Sequence, residues 1–473
     1  MRIVIATIEN LVDGQRFLAR LRNEYRGFFA ADGPLVIARA PGRLDVMGGI
    51  ADYSGATVCE MPIAEAAFVA LQPREDDMIC VRTTADVANN EVTVKLSELP
   101  IDYDTARQQL TGHEATMWAA YILGAFVVLA CEGGMSLAAG ANVLLDSAVP
   151  LGKGVSSSAA IEVATLRALT AAAGLDVSSY ELAVLAQTIE NRVVGAPCGL
   201  MDQLTSVFGE AHHLLKIKCQ PEGQITSLAI PDDLHFVGID SGVRHAVTGA
   251  SYGDVRVAAF MGYRMIADTL NLKFEISDLS QVRIADPIYQ GFLCNIPLAE
   301  FQAQFAALLP EQMSGEDFLA RFGGTTDIIT KVDPAKTYSV RAATTHPVKE
   351  EARVQQFITL LAEPTTNENL QLLGELMYQA HTSYSRCGLG SSATDALVKA
   401  VHKAGPDNDV FGAKITGGGS GGTVAVLARG ETGLSTATEI AAQHARQFGI
   451  TPYIFRGSSP GTAQVEPIFL EGL

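Results

Sequence analysis

The chain has 473 residues, 48% hydrophobic and 18% charged, with a formal net charge of −18. That composition predicts a globular chain of two or three domains. A field so acidic excludes nucleic acid and anionic membrane surfaces as electrostatic partners. The seven cysteines (59, 80, 131, 198, 219, 294 and 387) are odd in number and never in CxxC spacing. They predict neither a disulfide framework nor a zinc site, and hence a reducing, cytoplasmic setting.

In chain order, "MRIVIATIENLVDG" has early acids and a short apolar run, a poor match to a signal peptide. No apolar stretch reaches about 18 residues without polar breaks, so no membrane span is expected. "ARAPGRLDVMGGIADYSG", residues 38–55, sets Arg43, Asp45 and Asp52 around Gly49 and Ile50. "GANVLLDSAVP" predicts a strand ending at Pro150. "SSSAAIEVATLRALTAAAG" predicts a helix with Val163, Leu166, Leu169 and Ala173 at three-to-four spacing and a stop at Gly174. Ser178 and Glu181 then form a capping-box pattern, and Leu182, Leu185, Ile189 and Val193 the buried stripe of a second helix. Gly195 and Pro197 end it. "LHFVGIDSG" restarts the chain as a strand near residue 230. The alternation of helix and strand predicts a mixed α/β chain. Residues 265–340 are hard to read, apart from a small helix in "PEQMSGEDFLARFGG".

Three glycine-rich segments bear on phosphate binding. In "PLGKGVSSSAA", Gly152 and Gly154 allow close backbone approach, and a helix N-terminus follows the serines. A strand–turn–helix joint with serine caps fits the same residues. Lys153 is followed by Gly154, so this is not a Walker A loop, and any phosphate would rest on amides and hydroxyls. In "KITGGGSGGTVAVLARG", Gly417, Gly419 and Gly422 match G-x-G-x-x-G, but a strand-like run follows where a dinucleotide fold needs a helix. Those glycines more simply let another backbone pass close by at the wall of a site. "CGLGSSATDALV" reads as a loop capping a helix from Thr394. Between these lies "QTIENRVVGAPCGLMDQLTS", with Glu190 in the last turn of a helix and Asp202 after a tight loop. A kinase needs one carboxylate for Mg²⁺ and one to orient or deprotonate a hydroxyl. Two surface acids remain the alternative on these residues alone.

Taken together, "APGRLDVMGG", "PLGKGVSSSAA" and "AKITGGGSGG" resemble the three motifs of the GHMP kinases. "WAAYILGAF", "VGAPCGLMDQ", "DSGVRHAVTGASY" and "RAATTHPVKEEAR" resemble segments of the galactokinase branch. The likeness spans about residues 35–265 and 340–430. It implies an α+β GHMP kinase fold: a ribosomal-S5-like domain (1–229), a ferredoxin-like domain (230–473) and an active site in the cleft between them. It implies ATP and Mg²⁺ as cofactors, a small-molecule sugar as partner, and a monomer or weak homo-oligomer without nucleic acid or membrane. Gly152, Lys153, Gly154, Val155, Ser156, Ser157 and Ser158 would wrap the ATP phosphates, with Trp118 near the adenine. Ser158 and Glu190 would ligate the metal. Asp202 would face the anomeric hydroxyl, with Arg43 beside it favouring the ionised carboxylate and the transition state. Asp45, Asp52, Gly199, Tyr252, Gly418 and Gly419 would line the sugar.

The departure from the branch is local. Galactokinases carry Glu-His where this chain has Gly49-Ile50, and Asn where it has Asp45. The resemblance implies that the Glu-His pair grips the C6 hydroxyl. An unpaired buried hydroxyl costs about 1–3 kcal/mol. Gly49 and Ile50 therefore predict a sugar with nothing polar there, such as L-arabinopyranose, and the string is most similar to plant-type L-arabinokinases. Galactokinase, a fucokinase- or heptose-kinase-like enzyme and a non-catalytic sugar sensor are the alternatives. The intact serines, Glu190, Asp202 and Arg43 argue against the sensor, and "PCGLMDQ" and "VRH" argue against a GHMP-fold decarboxylase.

Overall fold

The computed structural model describes residues 6–133, 139–221, 223–244, 252–276, 281–451 and 453–472. Helix α1 (Val12–Glu24) packs beneath a sheet centred on two long strands, β1 (Leu35–Met47) and β2 (Thr57–Pro73). β3 (Met78–Thr83), β4 (Glu91–Lys95) and β5 (Ala141–Ser147) extend it in the order β1–β2–β5–β3–β4. β6 (His213–Lys218) pairs with the start of β2, and β7 (Ile225–Ala229) with β6. Alternate residues serve the two faces: Ile37, Phe68 and Ala70 meet α1, whereas Ala38, Ala40, Val69 and Leu71 meet the helices above. Those helices are α2 (Ala120–Gly133), α3 (Ser157–Ala172), α4 (Ser179–Thr188) and α5 (Met201–Phe208). α3 lies on β1 and β2 and is buried on nearly all sides, as its all-round apolar sequence requires. The stretch Glu114–Glu132 is as long and apolar as a membrane span, and just over half of it is buried within this unit.

The second unit begins at β8 (Leu234–Asp240). It continues through α6 (Tyr252–Thr269), α7 (Val340–Leu361), α8 (Asn367–Arg386), α9 (Ser392–Ala404), β9 (Val410–Ile415), β10 (Thr423–Arg429), α10 (Gly430–Phe448) and β11 (Ile454–Phe455). Its antiparallel sheet has the order β9–β10–β8–β11. Val237 and Ile239 face a core with α9 and α10, whereas Phe236 faces the core shared with the first unit. The chain's last strand, β12 (Ile468–Leu470), returns to the first sheet and pairs with β1 at Leu35–Ile37. The end of the chain thus adds a strand to the first sheet, and among the described residues no strand passes the other way.

Local signals and elements correspond closely. The Ser178 hydroxyl accepts the Glu181 N–H at 3.2 Å, and Leu182, Leu185, Ile189 and Val193 are buried. The last turn of that helix is a π-turn, Ile189–Val194, ended by Gly195 at φ +85°. A helix occupies Gly315–Phe322, capped by Ser314. Ser391 and Thr394 cap α9 reciprocally, so the helix begins at Ser392.

Candidate active site

The loop between β5 and α3 has the geometry of an anion cradle. Gly152 and Gly154 adopt φ +72° and +71°, and Ser156 adopts φ +57°. Ser156 precedes the 16-residue α3 without capping it, which leaves the first-turn N–H groups open. Its own Oγ is buried with no hydrogen-bond partner. A phosphate oxygen fits those donors. The 416–422 loop closes over this cradle. A side chain on Gly417 would lie 2.8 Å from the Gly154 carbonyl, and one on Gly422 2.9 Å from the Lys153 carbonyl. Thr423 Oγ1 donates to that Lys153 carbonyl at 2.8 Å. The glycines of the third motif are therefore the wall of a site, as read from the strand that follows them. The Lys153 ammonium pairs with Asp240 across the interface. Arg244, exposed, runs its stem past Gly152.

Beneath the cradle lies a buried charge network. Two register shifts in β1, at Pro41/Arg43 and Asp45/Met47, accompany the turn of Arg43 and Asp45 inward. Arg43 Nη2 is 2.8 Å from Asp202 Oδ1, and its Nη1 donates to the Gly154 carbonyl at 2.8 Å. Glu60, cross-strand from Asp45, lies 3.1 Å from Arg43 Nε. Burial disfavours the Arg43 charge, but Asp202, Glu60 and Asp45 outweigh it and hold the guanidinium protonated. Burial, and then Asp45, push Glu60 well above the carboxylate range. Asp45 is fully buried against Lys414 Nζ at 2.9 Å and accepts from Tyr384 Oη at 3.1 Å and the Gly417 N–H at 3.2 Å. All three bonds fall on Oδ2, and Asp45 Oδ1 is buried without a hydrogen-bond partner.

Asp52 sits on the other side of Asp202. Burial, followed by the Asp202 carboxylate, raises its pKa to about 6, with Arg256 opposing. Tyr252 Oη lies 3.5 Å from Asp52 Oδ1, and a side chain on Gly199 would overlap Asp52 Oδ2. Only glycine at 199 leaves Asp52 its place. Arg256 is clamped by Asp327 at 2.7 and 2.8 Å and donates to the Cys198 carbonyl at 3.1 Å. The segment that resists reading, 265–340, thereby reaches the site.

Glu190, on the π-turn, is buried. Burial and then Asp202 raise its pKa to about 7, against hydrogen bonds from Ser158, Cys198 and Gln203. Gln203 Nε2 also donates to Glu162 Oε2 at 3.2 Å, and Glu162 is fully buried with Oε1 unpartnered. Among the described residues no cation pairs with Glu190, and no three His, Cys, Asp or Glu side chains frame a metal by themselves. One carboxylate and one serine hydroxyl suit Mg²⁺, which takes its other ligands from phosphates and water.

The structure corrects the reading of Gly49 and Ile50 as an open gap. A side chain at 49 would overlap Tyr384 Oη and Asp45 Oδ2. Ile50 is fully buried among Tyr53, Tyr384 and Leu389. It adopts φ +50°, strained for a β-branched residue. Neither position presents open space, because packing from the second unit fills it. Gly418 approaches Tyr252 and Gly419 approaches Leu389. The Trp118 indole N–H donates to the Asn89 carbonyl at 2.8 Å. Residues 245–251 of the "VRH…Y" segment lie outside the described residues.

Glu60, Glu162, Arg256 and Lys414 were not singled out from sequence. Their signal was a lone charge within an apolar run, as in "AAIEVA" and "FGAKITG".

Comparisons with known proteins agree with this geometry. Residues 120–210 match the GHMP kinase N-terminal domain, 358–449 the GHMP kinase C-terminal domain, and 23–73 the galactokinase galactose-binding signature. The chain is 41% identical to an L-arabinokinase of Arabidopsis thaliana, over 94% of this chain and 48% of that protein. It therefore spans about half that relative's length. It is 30% identical to a galactokinase of Chloroflexus aurantiacus, over 83% of this chain and 84% of that one. In fold it is similar to Lactococcus lactis galactokinase complexed with galactose, at TM-score 0.73 and 20% identity, covering 94% of this chain and 99% of that one. The glycine-rich cradle, the shared motifs and these matches make the chain a member of the GHMP kinases, on the galactokinase branch.

Proposed function

We propose that the protein is an ATP- and Mg²⁺-dependent sugar 1-kinase whose substrate is L-arabinose. The observation that carries the kinase reading is Arg43, which bonds the Asp202 carboxylate and the phosphate-cradle carbonyl of Gly154 at once. One buried cation then spans the attacking hydroxyl and the transferred group. In this reading the anomeric oxygen forms a bond to the γ-phosphorus as the bond to the β,γ-bridging oxygen breaks. The hydroxyl proton passes to Asp202, and ADP leaves. Arg43 offsets charge on the phosphoryl oxygens, and a loose transition state asks Asp202 mainly for orientation. The amides of 152–158 and the Ser156 hydroxyl hold the phosphates, with Arg244 at the rim. Mg²⁺, held by Ser158 and Glu190, would neutralise phosphate charge. Asp52 and Tyr252 face the sugar hydroxyls.

L-Arabinose is supported by one thing: the relative named L-arabinokinase is more similar to this chain than the galactokinases compared with it. Galactokinase is the second reading, favoured by the matched signature over 23–73. ADP release measured across L-arabinose, D-galactose, L-fucose and a heptose tests both. The expected ranking of kcat/KM puts L-arabinose first. D-Galactose first would overturn the sugar assignment, and no turnover with any of them would overturn the kinase reading. The cytoplasm remains the proposed compartment, on the cysteine spacing.

A further inference from the structure

A cavity of about 640 Å³ opens between α7 and α8, lined by Arg341, Lys349, Arg353 and Arg386. Four cations at one concavity are unusual in a chain of net charge −18. Two of them are committed. Arg341 Nε donates to the Leu309 carbonyl at 2.7 Å, and Arg353 Nε to Glu350 Oε2 at 2.7 Å. Lys349 and Arg386 make no side-chain hydrogen bond or ion pair among the described residues. Glu311 and Glu375 also line the wall: Glu311 lies 3.5 Å from Arg341 Nη1, and Glu375 accepts from Gln379 at 3.2 Å.

The cavity wall is wired to the loop at Gly48 and Gly49. His346 Nε2 lies 3.0 Å from the Gly49 carbonyl, which can only accept, so this nitrogen carries the proton. His346 Nδ1 must then accept from Ser383 Oγ, 2.8 Å away in the cavity wall. The second chain runs from Arg353 to Glu350, whose Oε1 accepts the Gly48 N–H at 3.2 Å. One chain ends on the Gly48 N–H and the other on the Gly49 carbonyl, whose peptide unit leads into the strained Ile50. None of these cavity residues touches the phosphate cradle.

We propose that this cavity is an effector site for a small phosphorylated polyol, coupled through Ser383–His346 and Arg353–Glu350 to the Gly48–Ile50 loop. A phosphate dianion suits Lys349 and Arg386, with Arg353 behind them. Glu375 repels a bare phosphate but accepts from hydroxyls, so the ester binds better than the free ion. The volume suits a monosaccharide phosphate.

Calorimetric titration of the full chain with glucose 6-phosphate, and separately with inorganic phosphate, tests the site. Its phosphate is not anomeric, so it mimics a 1-phosphate product poorly. Binding of glucose 6-phosphate should weaken at least tenfold in Lys349→Ala/Arg386→Ala and persist in Ser156→Ala, which alters the phosphate cradle instead. Unchanged affinity in the double variant, or loss in Ser156→Ala, would overturn the site. Inorganic phosphate should bind at least tenfold more weakly, and equal affinity would overturn the polyol assignment. In steady-state assays glucose 6-phosphate should shift the sugar KM at least threefold in the natural protein and not in the double variant. An unshifted KM would overturn the coupling.

Discussion

Asp52 shows how much of the site's behaviour rests on one buried carboxyl. Its pKa is about 6 in the folded chain, because burial and the Asp202 carboxylate both favour the protonated form. A group raised in this way stabilises the fold below its unfolded pKa of about 3.9, and that contribution is lost as pH rises through 6. Above pH 6 the ionised group costs on the order of 3 kcal/mol. Asp52→Asn should therefore stabilise the ligand-free protein at pH 8 and leave it unchanged near pH 4, as urea unfolding at the two pH values will measure. The same variant should lower kcat/KM for the sugar and remove a limb that rises near pH 6 in the natural protein. Gly49 acts through space instead of charge. Gly49→Ala forces its Cβ onto Tyr384 Oη, which Asp45 and the Gly417 carbonyl hold fixed. Overpacking of this kind costs about 1–3 kcal/mol. Adding Tyr384→Phe should recover part of that loss, and a double-mutant cycle in thermal unfolding reads the coupling.

At the scale of elements, two glycine-rich loops from different units make one cradle because neither carries side chains at the crossing. Gly417 combines φ +67° with a Cβ position 2.8 Å from the Gly154 carbonyl. Gly417→Ala should raise the KM for ATP at least tenfold with a smaller effect on the sugar KM, since the phosphate side of the cleft opens first. The segment 281–338 contributes Asp327, which pairs with Arg256 of α6, both buried. Asp327→Ala leaves a buried guanidinium unpaired, an arrangement that costs about 3–5 kcal/mol. Asp327→Asn keeps a hydrogen-bond acceptor and should cost less, as the two denaturation midpoints will report.

In the whole molecule the two units are tied at both the cleft and the tail. Ser459 and the Pro460 carbonyl hold Arg39 of β1, Thr462 donates to the Arg39 carbonyl, and β12 pairs with β1 beyond it. Removing residues 457–473 deletes no proposed site residue, yet it strips a neighbour from the strand that carries Arg43 and Asp45. Such a truncation should lower Tm by several degrees and loosen β1, with amide exchange at Leu35–Arg39 rising ahead of exchange in β8–β10.

The sequence by itself determined what depends on local chemistry and spacing. Serine caps, glycine stops and the apolar stripes placed α3, α4 and the Gly315–Phe322 helix, and the resemblance of the three motifs to the GHMP kinases implied the chemistry. Those signals are read within a few residues of themselves, so no partner element is needed to interpret them. Tertiary structure decided the rest. Glu60, Lys414, Arg256 and Asp327 gain meaning only when strands and loops far apart in sequence bury their charges together. Gly49 and Ile50 looked like an empty place in a sugar loop; the second unit fills it with Tyr384 and its apolar cluster. Whether a missing side chain leaves a hole depends on what packs there, and only the folded chain sets that.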